Sequence, residues 1–137
     1  MSTVYVDTSA LLKRVVLEPQ SVAVVDALRA HVDRGDLVTS SSLAWVELAR
    51  ALRRASAVAP HLDLDLALAQ AVSGVAELPL DDAVLTAARG VGGPLLRTLD
   101  ALHLASALAI GADAVMTFDD RLATAAAEQG LAVSAPA

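Results

Sequence analysis

A short run of β-branched and aromatic residues, Val4-Tyr5-Val6, ends at Asp7 and passes through Thr8-Ser9 into a helical stretch, Ser9 to Val16. Val, Tyr and Val suit a buried parallel strand. Asp-Thr-Ser suits the turn that opens the next helix. This pattern constrains the chain more than any other. A strand that feeds directly into a helix is the start of a parallel sheet. It also puts the Asp7 carboxylate at the carboxyl end of a strand, the edge where open α/β sheets bind ligands.

The alternation continues down the chain. Ser21 to Val32 reads as a helix with Val24, Val25 and Leu28 on its apolar side, and Arg34-Gly35-Asp36 as a turn. Leu37-Val38-Thr39 reads as a strand, after which Ser40-Ser41-Ser42 offers N-caps for a helix from about Leu43 to Ala57. Pro60 separates it from a helix over about Leu62 to Val72, ended by Ser73-Gly74. Val75 to Leu80 is a third strand, and Asp81-Asp82 caps a helix to Arg89. After the loop Gly90 to Pro94, Leu99-Asp100 opens a helix through Ile110. Ala114 to Thr117 is a fourth strand, Asp119-Asp120 starts a helix to Gln129, and Leu131-Ala132-Val133 is a last short strand. The expectation is an α/β fold. It is a three-layer α/β/α arrangement with a central, mostly parallel sheet of four to five short strands, helices on both faces. Residues 1–137 are expected to form a single domain.

Composition narrows the function classes. The chain is 55% hydrophobic but only 2% aromatic, mostly Ala, Leu and Val, so helices should outnumber strands. So apolar a small domain is expected to cover part of its surface with a partner or a second copy. The net charge of −6 argues against a general nucleic-acid binder. The only aromatics, Tyr5, Trp45 and Phe118, are too few for a base-stacking platform. There is no cysteine, which excludes disulfides and thiolate metal sites. Met1-Ser2-Thr3 runs straight into the first strand without a secretory leader. The longest weakly polar run, Ala101 to Ala112, falls short of the roughly 20 residues of a membrane helix. A soluble, cytoplasmic protein is expected.

Four acids stand out by placement. Asp7 ends the first strand, Asp119 follows the fourth, Asp100 lies at a helix start, and Glu47 sits one turn into the helix after the second strand. In a parallel sheet these positions converge on the carboxyl edge. Carboxylates gathered there would repel one another unless they surround Mg²⁺ or Mn²⁺, hard cations that prefer oxygen ligands. Such an ion can activate water and stabilise charge on a phosphoryl oxygen.

Each residue also has a plainer reading. Asp7, Asp100 and Asp119 are good N-cap residues. Glu47 can form an ordinary helix pair with Arg50. Asp120 is ambiguous beside Asp119. Thr8, Ser9 and Thr117 can support the acids or simply bond their own turns. His103, one turn after Asp100, reads first as a helix-packing residue and second as a neighbour of the site. Arg50, Arg53 and Arg54, and also Arg97, can hold phosphates or merely solvate their helices.

Taken together, Val6-Asp7-Thr8-Ser9-Ala10-Leu11, Glu47 within Leu43-Ala44-Trp45-Val46-Glu47-Leu48, Leu99-Asp100-Ala101-Leu102-His103-Leu104-Ala105-Ser106-Ala107 and Thr117-Phe118-Asp119-Asp120-Arg121-Leu122 resemble the PIN-domain ribonucleases. Within these the chain most resembles the VapC toxins of type II toxin–antitoxin pairs, over essentially its whole length. The resemblance implies a PIN-like fold and an endoribonuclease dependent on Mg²⁺ or Mn²⁺, acting on structured RNA, tRNA above all. It implies metal-binding and catalytic roles for Asp7, Glu47, Asp100 and Asp119, supported by Thr117, Ser9 and Asp120, with Asp119 or Asp120 as the last ligand. Arg50 and Arg54 would contact RNA. It further implies a homodimer and a VapB-type antitoxin that blocks the site, with DNA contacted only through the antitoxin.

Rival readings fit less well. A haloacid-dehalogenase-like phosphatase also has an Asp after its first strand. It needs a second Asp where this chain has Ser9, and a later lysine. Lys13 is the only lysine, which also counts against a phosphorelay receiver. The non-enzymatic alternative is a catalytically inactive PIN-type module that only binds its partner.

Overall fold

The computed structural model describes residues 1–137. The elements run β1 (Thr3–Val6), α1 (Thr8–Leu12), α2 (Ser21–Asp33), β2 (Leu37–Ser41), α3 (Ser42–Ser56), α4 (Leu64–Ala71), β3 (Ala76–Leu78), α5 (Asp82–Ala88), α6 (Thr98–Ala109), β4 (Ala114–Met116), α7 (Asp120–Glu128) and β5 (Ala132–Ser134). The strands form one sheet in the order β3-β2-β1-β4-β5. Every pairing is parallel, so the expected mostly parallel sheet is parallel throughout.

The order explains where a ligand can sit. The chain builds outward from β1 through β2 to β3, then crosses back to lay β4 on the other side of β1. The connections leave β1 and β4 in opposite directions, which opens a crevice at their carboxyl ends. Asp7 and Thr117 directly follow those strands.

Side-chain alternation splits the interior in two, as expected for a sheet covered on both faces. Val4, Val6 and Met116 pack with Leu11, Val24, Leu28, Ala44 and Leu48, from α1, α2 and α3. Tyr5 and Val115 point the other way, toward Leu104, Ala107, Leu122, Ala125 and Ala126 of α6 and α7. Leu11, Leu48 and Leu104 are fully buried. Each such side chain stabilises the fold by about 1.5–3 kcal/mol.

Three strand-to-helix turns on the carboxyl edge share one construction. Asp7 caps α1 through Ala10 N, Ser41 caps α3 through Leu43 N, and Asp119 caps α7 through Arg121 N and Leu122 N. The second strand is longer than predicted and runs into the helix without a loop, because Ser41 serves both elements. The first helix is shorter than predicted. Beyond Leu12 the amides of Lys13, Arg14 and Val15 bond three residues back, tightening the helix into successive turns. Lys13 is drawn aside to Glu18 and Gln20 and lies 4.6 Å from the centre of the Phe118 ring.

Candidate functional site

Asp7 lies deepest, with 4% of its surface exposed. Its Oδ1 accepts from Ser9 Oγ (2.7 Å) and Ala10 N (3.1 Å), and its Oδ2 from Thr117 Oγ1 (2.6 Å). Burial pushes its carboxyl above the ordinary range even though the Ser9 and Thr117 bonds pull the other way. Thr117 Oγ1 also accepts from Asp119 N (2.9 Å), and Ser9 Oγ accepts from Phe118 N (2.9 Å). The two acid-bearing turns after β1 and β4 are thus laced together.

Asp100 stands in the first turn of α6 and is not a cap; Arg97 holds the N-cap position. Burial raises its carboxyl, and the charges of Asp119 and then Asp7 raise it further, while Arg97 acts the other way. Asp100 therefore lies within reach of the charges of both Asp119 and Asp7. Asp119 is half-buried and Asp120 exposed beside it. Asp120 instead lines a cavity of about 480 Å³ with Arg121, Thr124 and Glu128. The side chain beside the other acids is therefore Asp119.

Glu47 reaches the same edge from α3. It forms no pair with Arg50. Its Oε1 accepts from Thr8 Oγ1 (2.8 Å) and lies 2.6 Å from His103 Nε2. Burial would raise its carboxyl, but the His103 and Thr8 interactions outweigh it and hold Glu47 below its ordinary value. His103 is not merely a packing residue. It is 3% exposed, and its Nδ1 lies 2.7 Å from Tyr5 Oη, which accepts from Ser41 N at 3.2 Å. The role of Tyr5 was not anticipated. A buried tyrosine hydroxyl needs a partner, and that was the available signal.

The donor set suits a hard cation. All four groups are carboxylates, and none is paired with a lysine or arginine. As the side chains stand, no three of them close around a single point. Mg²⁺ usually keeps several of its waters, so a few carboxylates suffice, some of them acting through water. Five surface cavities of about 160 to 700 Å³ are lined by none of the four acids. Arg50, Arg53 and Arg54 are exposed along α3 and free of ion pairs.

Comparison with known proteins identifies the family that has this fold. The chain belongs to the PIN-domain family, whose profile matches residues 4–128. Within it, the relatives are VapC ribonucleases. The chain is 40% identical to Ribonuclease VapC46 of Mycobacterium tuberculosis, over 99% of both chains. It is 33% identical to Ribonuclease VapC47, covering 97% of this chain and 96% of the relative, and 38% identical to Ribonuclease VapC35 with the same coverage. Two solved structures share the fold. VapBC2 from Rickettsia felis, bound to a DNA fragment from its promoter, aligns with a TM-score of 0.75 at 12% identity, covering 96% of this chain and 97% of that one. M. tuberculosis VapC20, a sarcin–ricin-loop-cleaving toxin, aligns with a TM-score of 0.68 at 15% identity, covering 89% and 94%. No helix of this chain is long and apolar enough to cross a membrane.

Proposed function

We propose that this chain is the toxin of a type II toxin–antitoxin pair and hydrolyses RNA phosphodiester bonds with Mg²⁺ or Mn²⁺. The observation that carries the reading is the set Asp7, Glu47, Asp100 and Asp119: carboxylates at the β1–β4 crevice, none paired with a lysine or arginine. Asp7, Asp100 and Asp119 hold the ion, directly or through water. A divalent ion bound there lowers the pKa of water and offsets charge on the phosphoryl oxygen. Thr117 and Ser9 keep the Asp7 carboxylate oriented, and Asp120 stays outside the ligand set. Glu47 either holds the ion or helps deprotonate the attacking water through Oε2, which accepts no hydrogen bond from the protein.

Structured RNA is the proposed substrate, tRNA first. The substrate named for VapC20 makes a ribosomal loop the second arm of the test. Arg50 and Arg54 follow Glu47 at three and seven residues along α3, one stripe reaching about 10 Å from the site, where phosphates can lie. The exposed Val46, Leu66, Leu95 and Leu99 leave apolar surface for a second copy and for a VapB-type antitoxin. DNA is contacted only through that antitoxin. The protein acts as one cytoplasmic domain.

The test is cleavage of total tRNA and ribosomal RNA by purified protein, with Mg²⁺, Mn²⁺ or EDTA, beside Asp7→Asn and Asp100→Asn. Discrete metal-dependent fragments, lost in both variants, are expected. Folded protein that cuts neither RNA with either metal would favour the inactive binding module. Variants that cut like the wild type would remove the acid site.

A further inference from the structure

We infer that His103 is a positioning residue: the Ser41 amide and Tyr5 set its tautomer, and that tautomer fixes Glu47 by one carboxylate oxygen and leaves the other free. The inference rests on reading Glu47 as part of the metal site.

The hydrogen-bond directions follow from what each atom is able to do. Ser41 N–H can only donate, and it donates to Tyr5 Oη at 3.2 Å. Tyr5 has one proton to give, and His103 Nδ1 lies 2.7 Å away. Burial pushes the phenol far above its ordinary pKa, so the hydroxyl keeps its proton at neutral pH. With Nε2 facing the Glu47 carboxylate, Nδ1 of the neutral ring is the atom that accepts this proton. The proton of the neutral ring then sits on Nε2, which donates at 2.6 Å to Glu47 Oε1. Thr8 Oγ1 donates to the same oxygen at 2.8 Å. Oε1 has two donors and Oε2 has none.

The surroundings hold this wiring in place. Tyr5 is fully buried and His103 is 3% exposed, so water has little access to reverse the bonds. The two rings meet edge-on, 5.8 Å apart at 69°. The path runs from the end of β2 through β1 and α6 to α3, so elements distant in sequence converge on one carboxylate. Partners of this kind behind a metal ligand restrict its orientation, and their loss typically weakens metal binding 10- to 100-fold.

The first test is long-range ¹H–¹⁵N correlation of the imidazoles in the full, metal-free chain at about pH 8, well above the usual histidine pKa. His103 is expected with Nε2 protonated and Nδ1 bare, and Tyr5→Phe is expected to lose that bias. A proton on Nδ1, or on both nitrogens, overturns the inference.

The second test is Mn²⁺ affinity by titration calorimetry. His103→Leu is expected to weaken binding about tenfold or more. His103→Gln, whose amide nitrogen takes the place of Nε2, is expected to restore most of it. Wild-type affinity in His103→Leu overturns the inference. If that variant does not fold, Tyr5→Phe carries the comparison under the same criterion. Glu47→Gln separates the two levels. If it weakens Mn²⁺ binding while His103→Leu does not, the positioning role alone fails. If Glu47→Gln keeps wild-type affinity and cleavage, the metal-site reading of Glu47 fails and the positioning role falls with it.

Discussion

Thr117 Oγ1 donates a 2.6 Å hydrogen bond to Asp7 Oδ2, joining residues 110 positions apart across the carboxyl edge of the sheet. The same hydroxyl oxygen accepts from Asp119 N at 2.9 Å. One buried side chain therefore sets the distance between two of the acids.

Thr117→Val keeps the shape and removes both bonds. It leaves a buried carboxylate oxygen and a backbone amide without their partner, which costs about 1–3 kcal/mol. Urea denaturation should show a loss of that size. Thr117→Ser, which keeps the hydroxyl, should lose clearly less. Equal losses for the two would mean that the methyl group, not the hydroxyl, matters.

Asp100 titrates above its ordinary value because of burial and the charges of Asp119 and Asp7. A carboxyl raised in the folded state favours folding most when protonated, and that contribution is lost as pH rises through the folded pKa. At neutral pH in EDTA, Asp100→Asn should therefore melt above the wild type. Added Mn²⁺ should raise the wild-type melting temperature and move the variant much less. A variant less stable than wild type in EDTA would contradict the repulsion described here.

Asp36 has the opposite sign. Hydrogen bonds from Ser2 N and His31, with Arg34 nearby, lower its carboxyl from 3.8 to about 2. Its contribution is present above pH 3.8 and is lost as pH falls through about 2. Asp36→Asn should destabilise the protein at pH 6, and the difference from wild type should shrink as the pH falls toward 2. A difference independent of pH would assign the effect to packing.

Arg50→Ala and Arg54→Ala probe RNA contact away from the acids. Phosphate contacts carry no base information, so each substitution should weaken binding about equally across sequences. Each should also reduce the magnitude of the slope of log affinity against log salt by about one unit. Unchanged slopes would leave these arginines as solvated helix surface.

Much of this was legible in the residues. Val4-Tyr5-Val6 followed by Asp7 announced a buried strand entering a helix, and β1 and α1 lie there. Asp7 and Asp119 are caps, as their plainer reading held, and they also border the crevice; the two readings were never exclusive. Thr8 had two readings, support of the acids or local turn bonding, and its hydroxyl takes the first, reaching Glu47, 39 residues away. For Glu47 the plainer reading by helix spacing offered Arg50, while the fold supplied His103 from α6.

The sequence by itself determined the elements, the caps of α1, α3 and α7, and the parallel sheet. Those depend on backbone preference and apolar period over a few neighbouring residues, and a short window contains both. Only the tertiary structure decided that β1 lies between β2 and β4, that Asp100 feels Asp119 and Asp7, and that Ser41, Tyr5, His103 and Glu47 form one buried path. Strand order is set by how crossovers pack on both faces. A buried hydroxyl or imidazole takes whichever partner that packing delivers, and no local rule names a partner 98 residues away.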